Sequence, residues 1–125
     1  MNYESEKLKN FKRDFKKRCF QFSLNIIRLC SKLRINRNCW PILDQLIRSA
    51  TSVGANITEG GYAASKKDFI NYFQISVKSS SETEYWLSIL KEITTNEKQT
   101  ISELLDESIQ LRKIISTIIL NTKNN

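Results

Sequence analysis

Three side chains in this sequence are of types that could share a reactive site: Arg48, Glu59 and Glu82. Two carboxyls beside a guanidinium can work as a general acid and base if one acid is held protonated, and otherwise form a structural ion pair. The ion-pair reading comes first, because the rest of a catalytic repertoire is missing. The chain contains no histidine, which removes the commonest general base and any Ser-His-Asp or Cys-His arrangement. Its three cysteines, Cys19, Cys30 and Cys39, have no CxxC spacing. They read as reduced thiols acting as small hydrophobes rather than as metal ligands. No glycine-rich phosphate loop is present. The expectation is a protein that is not an enzyme, with no metal, no cofactor and no small-molecule substrate.

The remaining chemistry is electrostatic. The formal net charge is +7, and its distribution is uneven: residues 1–37 hold 11 Lys/Arg against 3 acids, whereas residues 38–125 hold 9 against 10. The excess is densest in "KLKNFKRDFKKR", residues 7–18. Lys and Arg in such a run neutralise phosphates and release counterions, a term that does not depend on base sequence. Lys9, Lys12, Arg13, Lys16 and Lys17 are therefore the candidate nucleic-acid contacts, and the competing reading is a solvated face that aids solubility.

The elements that must position these residues are helices. The chain has 125 residues, 40% of them apolar, with only 3 Gly and 1 Pro. A β-rich fold of this length needs more turn punctuation, so the chain is expected to be all-α. Leu8, Phe11, Phe15, Cys19, Phe22, Ile26, Leu29 and Leu33 recur every three or four residues and predict a helix over about 5–35. The five cationic candidates fall on its far side, followed there by Phe20, Leu24 and Ile27, so this helix has two apolar faces and two kinds of partner. Pro41 opens a second helix, about 40–60, and Gly60-Gly61 closes it at a left-handed position. Ser65-Lys-Lys-Asp68 resembles a capping box and opens a third, about 65–94; the fourth spans about 97–121. Short links between four helices predict one antiparallel up-down-up-down bundle domain over residues 1–125. No run approaches about 18 uncharged apolar residues, and the polar N-terminus carries no signal-peptide core, so a cytoplasmic location is expected.

One stretch is unusual for a helix. "SATSVGAN", residues 49–56, is made almost entirely of small residues, and Gly54 alone costs about 1 kcal/mol against Ala in a helix interior. The third helix answers with Ser76, Ser79, Ser80, Ser81 and Thr83. Small side chains at facing positions predict a close crossing of helices two and three. The alternative is a groove or interface that presents Asn56 and Glu59 to a partner.

"QLIRSATSVGANITEGGYAASKKDFINYF" followed by "ISVKSSSETEYWL" resembles the signature of the bacterial four-helix-bundle proteins of the rRNA intervening-sequence type. The matching positions are Gln45, Arg48 and Ala50; Asn56, Ile57, Glu59 and Gly60; Ser65, Lys67, Asp68 and Phe69; and Ser79 and Glu82. The match covers about residues 45–90; helices one and four agree in pattern only. Thr58, Gly54 and Lys78 depart from the usual Ala, Pro and Gly, and an N-terminal Asp-Leu-x-Val-Trp element is missing. The resemblance extends to the accessory variability determinant of diversity-generating retroelements, which partners a reverse transcriptase and binds nucleic acid. It implies a homopentameric ring without enzymatic activity, with Arg48, Asn56, Glu59, Gly60, Ser65, Phe69 and Glu82 as motif or interface residues. Two functions follow as expectations. One is a homo-oligomer that binds RNA or a nucleoprotein through the basic first helix; the other is an oligomeric scaffold whose partner is a protein.

Overall fold

A computed structural model describes residues 5–125 as four helices. They are α1 (Glu6–Cys30), α2 (Trp40–Gly60), α3 (Lys66–Ile93) and α4 (Lys98–Lys123), with a 3-10 turn at Arg37–Cys39 before α2. Each helix packs on its two neighbours in the square α1–α2–α3–α4–α1, and every neighbouring pair runs antiparallel. The all-α, up-down-up-down bundle expected from the periodicity is the observed fold. Residues 1–4 of the expected domain lie outside the described residues.

The core is one cluster drawn from all four helices, with Phe22, Ile26, Leu46, Val53, Leu87, Leu90, Leu111 and Ile115 at its centre. Pro41 sits in the first turn of α2, where its missing N–H costs nothing. Ser65 caps α3 through an Oγ that accepts the Asp68 N–H at 3.1 Å.

The small residues of α2 and α3 do form a close crossing. The Ser76 hydroxyl donates to the Val53 carbonyl at 2.8 Å, Ser79 to the Ser52 hydroxyl at 2.8 Å, and Thr83 to the Ser49 hydroxyl at 2.9 Å. Ser49, Ser76 and Thr83 are buried, and these bonds remove the cost that unpaired buried hydroxyls would carry. Gly54 lies at a second crossing, where a Cβ would reach the Cys19 Cβ and carbonyl oxygen of α1 at 3.4 and 3.5 Å, ordinary contact distances.

Three expectations are corrected. First, α1 stops at Cys30, not near residue 35. Leu33 and Ile35 still pack on the core, but from an irregular segment whose backbone bonds to the α3–α4 loop. There the Asn96 side-chain carbonyl accepts from the Arg34 N–H at 2.8 Å, and its amide donates to the Lys32 carbonyl at 2.8 Å. The Thr95 N–H donates to the Arg34 carbonyl at 3.3 Å. These tertiary bonds replace the last helical turn. Glu97, the residue after Asn96, lies in the left-handed region at φ 59°, a strained position for a non-glycine residue. Asn96→Ala is expected to cost about 1–2 kcal/mol, read as a lower melting temperature; an unchanged melt would show that water replaces the latch.

Second, the α2 terminus needs its glycines for space rather than for a left-handed turn. Gly61 has φ −62°, and no described glycine has a positive φ. A Cβ on Gly60 would lie 2.9 Å from a Phe73 ring carbon and 3.1 Å from the Tyr72 Cβ. Third, Leu8 and Phe11 are not core. They are 45% and 47% exposed, and the buried stripe of α1 begins at Phe15.

Candidate nucleic-acid interface

Lys9, Lys12, Arg13, Lys16 and Lys17 are all exposed along the first half of α1. Helical geometry spreads them over more than a quarter of the circumference, from the α2 side to the rim of the α1–α4 groove, which Lys17 lines. Lys12 and Lys16 border an apolar hollow of about 270 Å³ with Phe15, Ile57, Phe69 and Ile118, so the cations grade into a greasy corner where all four helices meet. Lys16 also reaches the α2–α3 loop: its Nζ stands 5.7 Å from the centroid of the Tyr62 ring.

Folding adds cations that the sequence places far away. Antiparallel packing brings the start of α3 and the end of α4 to the same end of the bundle as the start of α1. The Lys66 ammonium donates to the Asn125 carbonyl, and Asn125 shares a surface hollow with Leu8, Phe11 and Lys113. Lys67 and Lys123 lie in the adjoining first and last turns. Lys66, Lys67, Lys113 and Lys123 thus extend the α1 run across the end of the bundle, against Glu6, Asp14, Glu59 and Asp68 at that end. Linear charge counting misses them, because residues 38–125 are nearly neutral as a whole. The acids that balance them are distributed mostly along the middle and far end of α3 and α4.

Two of those acids are committed to arginines. Glu107 receives two hydrogen bonds from Arg18, each 2.7 Å, across the α1–α4 groove. Glu84 is gripped by Arg112 at 3.0–3.3 Å and accepts the Ser108 hydroxyl at 3.2 Å. These charge-assisted forks raise the pKa of both arginines above its ordinary value, mainly through the hydrogen bond to the partner carboxylate. The α1–α4 groove, about 650 Å³, carries Arg28 and Lys32 opposite Glu103 and Glu107, so it is mixed in charge and a poorer site for a polyanion.

The motif residues are brought together only in part. Asn56 is turned back on α2, its amide donating to the Ser52 carbonyl and hydroxyl at 2.8 and 2.9 Å. At the α2–α3 corner Gly60 lies against the Phe73 ring, on which Phe69 stacks with ring centroids 4.2 Å apart. The expected convergence of Arg48, Glu59 and Glu82 does not occur. Arg48 and Glu59 are eleven residues apart on one helix, about 16 Å, and both are exposed. Among the described residues neither forms an ion pair, and Glu82 instead accepts the Trp86 indole N–H at 3.1 Å. The small residues, not Arg48, face α3.

Cys19 and Cys30 offer no reactive alternative. Burial pushes Cys19 up to about 12 and Cys30 up to about 11, so both stay protonated near neutral pH. A folded-state pKa above the unfolded 9.0 means that this contribution to stability is complete below pH 9. It is lost as pH rises through the folded values. At pH 8, Cys19 is expected to react with a thiol reagent only when the protein unfolds; rapid labelling of the native state would contradict its burial. Among the described residues no group of three or more Cys, Asp or Glu is placed to hold a metal ion, and no helix is long and apolar enough to cross a membrane.

A sequence profile described as 23S rRNA-intervening sequence protein matches residues 12–117. The chain belongs to that family. The 23S rRNA-intervening sequence profile takes in most of the basic run, starting at Lys12, and the whole α2–α3 hairpin. The fold is similar to the crystal structure of a protein of unknown function from the S23 ribosomal protein family of Bacteroides thetaiotaomicron VPI-5482. The TM-score is 0.78 with 31% sequence identity, over 86% of this chain and 96% of that one. No curated protein matches the sequence.

Proposed function

We propose that this intervening-sequence protein is a non-enzymatic, homo-oligomeric bundle that binds RNA, or a nucleoprotein such as a reverse transcriptase complex, through its basic end. The observation that carries the reading is that Lys66, Lys67, Lys113 and Lys123 share one end of the bundle with Lys9, Lys12, Arg13, Lys16 and Lys17. A surface of this kind binds phosphates by charge and shape. The family's association with rRNA genes supports RNA as the polyanion. A ring of five copies, the assembly that the resemblance implies, would turn a modest patch into an avid one.

The test is a titration of purified protein with structured RNA at about 50 and 200 mM salt, alongside its mass in solution. Binding with a steep salt slope by an oligomer is the expected result. No binding even at low salt overturns the RNA reading.

A second reading, a scaffold with a protein partner, is favoured by the outer face of α1. Phe20 is 64% exposed and Ile27 44%, with Leu24 half-buried between them. A second copy or another protein would cover this face, and Phe20→Ser would then change the mass in solution without changing RNA affinity per subunit.

A further inference from the structure

Tyr62 is 82% exposed, an unusual state for a large aromatic, and stands at the tip of the α2–α3 loop. It bonds through its backbone N–H to the Glu59 carbonyl at 3.0 Å, which orients the loop without using the ring. On one side Lys16 of α1 stands over the ring. Lys66 and Lys67 follow four and five residues later. The ring also lines an open groove of about 690 Å³ with Glu59, Asp68, Asn71 and Tyr72.

We infer that this corner holds one unpaired nucleobase of a single-stranded RNA segment, stacked on Tyr62. The inference rests on the RNA reading above and deepens it. A flat, exposed ring beside the Lys16 ammonium is the arrangement on which an unpaired base stacks while a lysine holds the neighbouring phosphate. A duplex buries its bases' faces and gives Tyr62 nothing to stack on. The acids in the groove fit the same occupant. Glu59 and Asp68 repel phosphates, which keeps the backbone on the lysine side. Their oxygens, with the Asn71 side-chain carbonyl oxygen, accept N–H donors from the edge of an inserted base. The motif residue Glu59, which forms no ion pair among the described residues, thereby acquires a partner.

The experiment compares a fluorescein-labelled single-stranded RNA of about 12 nucleotides with the same strand annealed to its complement. Wild type, Tyr62→Ala and Tyr62→Phe are titrated with each by anisotropy at two salt concentrations. Tyr62→Ala should weaken single-strand binding about tenfold, leave duplex binding and the salt slope unchanged, and melt like wild type. Tyr62→Phe, which keeps the ring, should bind like wild type. Wild-type affinity of Tyr62→Ala for the single strand, or an equal loss on both RNAs, overturns the inference while leaving the RNA reading intact. Failure of the wild-type protein to bind either RNA at low salt overturns both.

Discussion

A variant with Lys66, Lys67, Lys113 and Lys123 changed to Gln is expected to lose RNA affinity about as severely as one with Lys9, Lys12, Arg13, Lys16 and Lys17 changed to Gln. At about 50 mM salt the loss should be about a hundredfold in either case, with roughly one unit of salt slope removed per phosphate contact. The two sets are more than forty residues apart in the chain but share one end of the bundle, where Lys66 reaches Asn125 and Lys113 lies beside Leu8 and Phe11. All nine side chains lie on exposed positions of described helices, so neither variant should fold poorly. If only the α1 set matters, the nucleic-acid site is a helix face and the bundle's end is incidental. If neither matters, the run is a solvated face and the protein-scaffold reading takes its place.

The second large effect concerns two glycines on one helix, with opposite signs. Gly60→Ala is expected to destabilise the fold by about 2 kcal/mol, because the new methyl would press on the Phe73 ring at 2.9 Å and on the Tyr72 Cβ at 3.1 Å. Phe73 is buried and stacked on Phe69, so it has little room to retreat. Gly54→Ala should instead be neutral or stabilising by up to about 1 kcal/mol. Its Cβ would touch Cys19 at ordinary contact distance, and the helix gains propensity. Chemical denaturation of the two variants decides the matter. A Gly60→Ala protein as stable as wild type would mean that the corner is looser than its packing indicates, and a strongly destabilised Gly54→Ala would place the tight approach at α1 instead.

Much of the bundle was legible in the sequence because its signals are local. Pro41 and Ser65 mark helix starts through backbone chemistry that needs no partner. The hydroxyls of α2 and α3 were readable as a close crossing because both helices carry them at corresponding heights. What stayed hidden depends on contacts between distant segments. Leu33 and Ile35 continue the apolar rhythm of α1 outside any helix, since burial asks only that they reach the core, and Asn96 lies sixty residues away. Leu8 and Phe11 carry the same rhythm into the end of the bundle, where they line open hollows beside α4 instead of a closed core. The cations of α3 and α4 join those of α1 only once the helices have alternated direction. Arg48, Glu59 and Glu82 looked like one constellation because a crossing point fixes which helices meet, but not how far along each helix a residue stands.

The hydroxyl contacts between α2 and α3 have a kinetic consequence. Apolar side chains would tolerate sliding by a turn, whereas the pairs Ser49–Thr83, Ser52–Ser79 and Val53–Ser76 can all form in one register only. The hairpin is therefore a strut of set length, and the loop at its tip, with Gly60, Tyr62 and the α3 N-terminus, is delivered to a fixed place beside Lys16. A ligand arriving there meets a surface already shaped and has little ordering cost to overcome. Association should then be fast and governed by salt, and differences between ligands should appear in how quickly they leave.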